Sequence, residues 1–207
     1  MKQRHTNTLV VICHPRTDSL IRAAGERVVA GLERAGTPVR VLDLDGLGLG
    51  GSNTAPFDPV LSRHEKINHL SDPDDRPDLA DHFDALRWAH RIVFVYPTWF
   101  SGQPAMLKGW FDRVWANGVV FELPPEATRI RGLLKNVKRL EIVTSHGSSK
   151  LVNLVQANSG QRVIFRSLRV LCHPLCRTHL TAIYNIDRAE PAIIEAWLSE
   201  VEERFSS

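Results

Sequence analysis

Residues 91–115 read Arg91-Ile92-Val93-Phe94-Val95-Tyr96-Pro97-Thr98-Trp99-Phe100-Ser101-Gly102-Gln103-Pro104-Ala105-Met106-Leu107-Lys108-Gly109-Trp110-Phe111-Asp112-Arg113-Val114-Trp115. Residues 92–96 are a continuous apolar run of β-branched and aromatic side chains, the pattern of a strand covered on both faces. Pro97 ends it. Pro104 suits the first turn of a helix, and Leu107, Trp110, Phe111, Val114 and Trp115 form a stripe at helical spacing. Strand, loop and helix follow one another within 25 residues, as in a βα unit.

The same alternation extends in both directions. Residues 8–13 and 39–44 read as strands on either side of a helix over 19–35, whose stripe is Leu20, Ala24, Val28 and Leu32. Residues 46–78 are rich in Gly, Pro, Asp and Asn and read as loop. A helix follows over 79–90, then the strand described above. Strands over 137–144 and 178–184 flank a helix over 159–171. A last helix begins near Asp187 with Glu190 as a capping-box partner, and its stripe is Ile193, Trp197, Val201 and Phe205. This order predicts an α/β fold: one domain over 1–207, with a doubly wound five-stranded parallel sheet of order 2-1-3-4-5 and helices on both faces. In such a sheet, ligands bind at the carboxyl ends of the strands where the order reverses. Loops 14–18, 97–103 and 145–149 would then share one crevice.

Composition narrows the class. The 207 residues are 43% hydrophobic and 24% charged, ordinary for a globular protein. No apolar run nears the ~18 residues of a membrane span. The apolar stretch behind the basic amino terminus, Leu9 to Cys13, is too short for a signal-peptide core, and three cysteines fit a reducing compartment. A cytoplasmic protein is expected. The net charge of +3 is too small to indicate nucleic-acid binding, but its distribution is uneven. Residues 127–177 hold ten Lys or Arg and one acid, Glu141, either as a solvated face or as a surface for an anionic ligand.

The first loop, His14-Pro15-Arg16-Thr17-Asp18-Ser19, feeds a helix N-terminus and could donate to phosphate oxygens; ordinary capping by Asp18 or Ser19 is the alternative. Asp18 would repel an anion unless it points away or pairs with Arg16. In the second loop, Trp99 and Phe100 could wall a planar ring or plug the surface locally. In the third, Ser145-His146-Gly147-Ser148-Ser149-Lys150, backbone donors with His146 or Lys150 could meet the carbonyl edge of a heterocycle and stabilise negative charge; otherwise His146 is an exposed loop residue. Gly46-Leu47-Gly48-Leu49-Gly50-Gly51 fits G-x-G-x-x-G but runs into Pro56 and Pro59 rather than opening a helix, which argues against a dinucleotide fingerprint. Cys172, His173, Cys176 and His179 lack a familiar zinc spacing, and core packing at a strand edge is the favoured reading.

Residues 97–115 resemble the signature of the flavodoxin-like NAD(P)H:quinone oxidoreductases, a group that includes flavoproteins ancillary to potassium efflux. His14-Pro15 with Ser19-Leu20, the segment Phe57-Asp58-Pro59-Val60-Leu61-Ser62, and Thr144-Ser145-His146-Gly147 are similar to further family segments. The resemblance implies a bound flavin, FMN or FAD, reduced by NADPH or NADH. It also implies ping-pong hydride transfer to a quinone-like acceptor, and a homodimer with no nucleic-acid or membrane partner. His14, Arg16, Asp18 and the Ser19-Leu20-Ile21 turn would serve the flavin phosphate. Pro97, Thr98, Trp99 and Phe100 would flank the ring, and Thr144, Ser145, His146 and Gly147 its pyrimidine edge, with His146 as the catalytic candidate. Arg-rich residues 162–177 would meet the dinucleotide phosphates. Ile21 stands where the family frequently has Asn, and no Tyr follows Gly147 at the spacing some members use. That absence leaves open a redox-sensing regulatory subunit with little turnover. An electron carrier of the flavodoxin type fits poorly with a pI near 8.9.

Overall fold

A computed structural model describes residues 6–52, 55–67, 76–124 and 126–206. Part of the stretch expected as loop, 53–54 and 68–75, lies outside them. The strands are β1 (Thr8–Ile12), β2 (Val39–Asp43), β3 (Arg91–Pro97), β4 (Phe121–Glu122), β5 (Arg131–Gly132), β6 (Arg139–Ser145) and β7 (Arg177–Ile183). Five of them form one parallel sheet in the order β2-β1-β3-β6-β7. This is the expected 2-1-3-4-5 order, with the small antiparallel β4–β5 hairpin inserted before the fourth strand.

Alternate residues of each strand serve opposite layers, as the two-residue period requires. Leu9, Val11, Ile92, Phe94, Tyr96, Leu140 and Ile142 pack against α3 (Ala80–Trp88) and α4 (Ala105–Val114) through Phe83, Leu86, Leu107, Trp110 and Phe111. Val10, Ile12, Val93, Val95 and Val143 face α1 (Leu20–Arg34) and α7 (Pro191–Phe205) through Ala24, Val28, Leu32, Trp197 and Val201. Every residue of β3 is buried, which explains its continuous apolar sequence.

The structure departs from expectation at several points. A short helix, α2 (Arg63–Ile67), lies within the stretch read as loop, and α5 (Lys150–Val155) follows the third turn. The helix expected over 159–171 is broken: α6 (Ser159–Arg162) passes into a π-turn, Val163–Leu168, and then a 3₁₀ turn, Arg169–Leu171. The last helix begins at Pro191 with Glu190 at the N-cap position; Asp187 lies in a separate 3₁₀ turn, so no capping box forms. Ile193 is largely exposed, and the buried stripe of α7 begins at Trp197. Gly48, Gly50 and Gly51 have positive φ in and beside a 3₁₀ turn, Leu49–Gly51, instead of opening a helix. Cys13, Cys172 and Cys176 are buried free thiols. Among the described residues, no three His, Cys, Asp or Glu side chains gather as a metal site, and no helix is long and apolar enough to cross a membrane.

One buried ion pair ties the carboxyl end of β2 to the first turn of α1. Arg22 Nη1 and Nη2 donate to Asp43 Oδ1 and Oδ2 at 3.1 and 2.9 Å, and the Leu47 and Leu49 amides also donate to Oδ2 at 3.1 and 3.0 Å. Burial alone would raise the Asp43 pKa, but Arg22 and the Leu49 amide hold it below the ordinary carboxylate value. Its contribution to stability is therefore complete above the unfolded carboxylate pKa and is lost as pH falls through the folded one. Replacing Asp43 by Ala strands Arg22 in the core and is expected to cost about 3–5 kcal/mol, read from the urea-unfolding midpoint.

Candidate functional site

Loop one leaves β1 through Cys13 and His14 and enters α1 at its N-cap, Ser19, whose Oγ accepts from the Arg22 amide at 3.2 Å. The helix's opening amides at Leu20 and Ile21 face the loop without an intrahelical partner. The Ile21 side chain itself lies in the core, so only its backbone can serve a ligand. His14 Nδ1 accepts from the Arg16 amide at 3.2 Å. Burial lowers the His14 pKa, and with Nδ1 accepting, the neutral ring carries its proton on Nε2. Arg16 and Asp18 are exposed and bind each other through Nε–Oδ1 and Nη2–Oδ2 contacts of 2.9 and 2.7 Å. This pairing neutralises Asp18 and also occupies Arg16.

Loops two and three are joined by extension of the β3–β6 ladder. The last paired residues are Pro97 and Ser145. The Thr98 amide then donates to the Ser145 carbonyl at 2.9 Å, and Thr98 Oγ1 lies 3.1 Å from Thr144 Oγ1. The chain reverses tightly at 99–102. Trp99 and Gly102 exchange backbone hydrogen bonds of 3.1 and 3.0 Å, and Phe100 and Ser101 adopt φ of 46° and 63°. Positive φ is costly for a bulky residue such as phenylalanine, and this turn leaves the Phe100 ring fully exposed. The His14 ring meets Trp99 edge-on at 6.4 Å, which brings loop one against loop two.

Thr98, Phe100, His146 and Gly147 line one cleft of about 210 Å³ with Ser101, Ser148, Asn153 and Gln156. Thr144 lines an adjoining cavity with Thr98 and His146. Pro97 and Ser145 are buried at the strand ends, and Trp99 stands half-exposed beside the cleft. His14, Arg16, Asp18, Ser19, Leu20 and Ile21 do not line it. Gly147 is in close quarters: a Cβ there would lie 2.8 Å from Asp187 Oδ2.

His146 is not an exposed loop residue. It is 9% exposed and its ring stacks on Tyr184 at 4.7 Å, with the planes 7° apart. Nδ1 is buried without a protein partner. Burial lowers its pKa, opposed in part by the nearby Asn153 side chain. Burial thus favours the uncharged imidazole, a hydrogen-bonding group. Tyr184, Asn153 and Gln156 went unrecognised in the sequence. Tyr184 was accessible through register, because Ser145 pairs with Ile183 and the next residues on the two strands are His146 and Tyr184. Arg162 and Arg166 are exposed, whereas Arg169 Nε donates to the Cys176 carbonyl and Arg177 opens β7 at the opposite edge of the sheet.

The sheet order and the cleft define an open α/β protein whose candidate site lies at the carboxyl ends of β3 and β6, next to the β1–β3 switch point. The chain belongs to the flavodoxin-like fold family, which matches residues 6–202. Among curated relatives it is 27% identical over 172 residues to NAD(P)H dehydrogenase [quinone] 1 of Cavia porcellus, a match covering 75% of this chain and 59% of that one. It is 31% identical over 139 residues to an uncharacterized NAD(P)H oxidoreductase of Haemophilus influenzae, covering 67% and 63%. The matches thus span about three-fifths of these relatives' length. The fold is shared with the NAD(P)H:quinone oxidoreductase of Methanothermobacter marburgensis (TM-score 0.78, 20% identity, 98% of both chains). It is also shared with an FMN-dependent NADH-azoreductase of Bacillus anthracis in complex with FMN (TM-score 0.70, 14% identity, 97% and 98%).

The burial of His146 generates a titration prediction. Its imidazole is expected to titrate below the ordinary histidine value of about 6.5 in a proton NMR pH series. The sign for stability follows: the unfolded state binds the proton first, so this residue's contribution falls as pH drops below the unfolded value toward the folded one.

Proposed function

We propose that this protein is a flavin-dependent NAD(P)H oxidoreductase that reduces quinones or similar two-electron acceptors, with FMN as the flavin. The observation that carries the proposal is the cleft itself, lined by the exposed ring of Phe100 and by His146, whose buried Nδ1 has no protein partner. These features fit a flat ring with a polar edge. The names of the relatives agree with this chemistry, and the FMN of the Bacillus anthracis neighbour favours FMN over FAD.

In this proposal His14 Nε2 and the Leu20 and Ile21 amides hold the flavin phosphate. Arg16 joins them only by leaving Asp18. Pro97, Thr98, Trp99 and Phe100 flank the ring, and Thr144, Ser145, His146 and Gly147 meet its polar edge. When bound, the flavin would supply two-electron transfer from NADPH or NADH to the acceptor. Donor and acceptor take the same cleft in turn, which gives ping-pong kinetics. Phe100 covers the outer face and keeps water from it. His146, being neutral, orients through a hydrogen bond rather than through charge. Arg162 and Arg166, both exposed, meet the dinucleotide phosphates.

The working unit in this proposal is a homodimer. Helix α5 supports it, because Leu151, Leu154 and Val155 are largely exposed, Val155 by 81%, beside Phe100 at the cleft. A second copy would cover this apolar surface and close the cleft.

Three measurements check the proposal. The purified protein should show the visible spectrum of a flavin, or acquire it on adding FMN, and should oxidise NADPH or NADH with a quinone along parallel double-reciprocal lines. A colourless protein that takes up neither FMN nor FAD overturns it. Phe100→Ala is expected to weaken acceptor or flavin binding about tenfold, the loss of roughly 1.4 kcal/mol of ring contact. The double variant Leu154→Asp with Val155→Asp should run as a monomer in light-scattering chromatography where the wild type runs as a dimer.

A further inference from the structure

The turn after the last sheet strand comes unexpectedly close to the cleft. His146 follows β6 and Tyr184 follows β7, and the backbone holds both in place. The His146 amide donates to the Ile183 carbonyl at 2.9 Å, the Ile186 amide donates to the His146 carbonyl at 3.1 Å, and the Asn185 amide donates to the Ser148 carbonyl at 3.2 Å. Asn185 adopts a left-handed φ of 55°, turning the chain back toward the third loop. The imidazole lies flat on the Tyr184 ring, 4.7 Å between centroids. Such stacking occupies one face of the imidazole and fixes its plane within the lining of the cleft. A buried polar atom without a partner costs free energy unless a ligand pairs with it, and Nδ1 is such an atom.

We propose that Tyr184 is a positioning residue of this site, acting through His146: its ring sets the plane in which Nδ1 meets the carbonyl or N–H edge of a bound planar heterocycle. The flavin part of this inference rests on the function proposed above; the positioning of His146 does not. The Tyr184 ring, and not its hydroxyl, carries the effect.

The test uses the full-length flavin-free protein and two readouts. In FMN titrations followed by flavin fluorescence, Tyr184→Leu is expected to weaken binding about tenfold, while Tyr184→Phe stays within twofold of wild type. His146→Ala should lose as much as Tyr184→Leu, and the double variant no more than either, because the two residues act as one unit. In imidazole ¹⁵N NMR of the flavin-free proteins, the His146 signals should move in Tyr184→Leu and be restored in Tyr184→Phe. Should Tyr184→Leu fail to fold, Tyr184→Met makes the same comparison. The proposal is overturned if removing the ring leaves FMN binding and the His146 signals unchanged, if the two losses add, or if Tyr184→Phe is as damaging as Tyr184→Leu. If the wild type takes up no flavin, the proposed function fails, and the imidazole comparison alone decides the role of Tyr184.

Discussion

The Thr98 amide donates to the Ser145 carbonyl one step beyond the last paired residues of β3 and β6. That extra rung makes both turns leave the sheet at the same height and in fixed relation. The turns that line the cleft are consequently anchored where they leave the sheet. The 99–102 reversal is held from outside as well. The Ser101 carbonyl accepts from the Gly160 amide at 3.0 Å, and Ser101 Oγ donates to Gln156 at 2.5 Å. Segment 156–160 thus braces a turn whose own backbone is strained, which is how such geometry persists. Gly160 makes this possible, since a Cβ there would lie 3.2 Å from Gly102 Cα.

The sheet was legible because its central strands are covered on both faces and so are written as continuous apolar runs. Strand–helix alternation implied parallel pairing, and the order was that of the flavodoxin-like fold the chain resembles. The parts that were not legible share a physical cause. Helix α5 has six residues and turns Leu151, Leu154 and Val155 outward, so it writes no buried stripe. The β4–β5 hairpin has two residues per strand, too few for a period. The break after Arg162 is a change in hydrogen-bond pattern inside an apolar segment, invisible to spacing. Glu190 suggested a capping box, but Pro191 fits the first helical position better and takes the start of α7.

The same holds at the site. The loops that could meet were evident from topology, yet which atoms face the cleft depended on tertiary pairing. Arg16 and Asp18 are two residues apart and find each other. His146 sat in a polar run that suggested exposure, and its burial comes from Tyr184, 38 positions away in the chain. Charge along the sequence was a poor guide to charge in space. Arg91, Arg139 and Arg177 are aligned at the amino edge of β3, β6 and β7. A seven-residue strand, roughly 20 Å, separates them from the cleft.

The thiols bear on chemical durability. Quinones are electrophiles that arylate exposed thiolates, and Cys13 lies one residue before His14. It is 1% exposed, and burial pushes its pKa well above the usual thiol range, with Asp45 adding to the effect. Cys172 and Cys176 are likewise enclosed. Under the function proposed above, this enclosure would keep the protein's own sulfur out of reach of its acceptors.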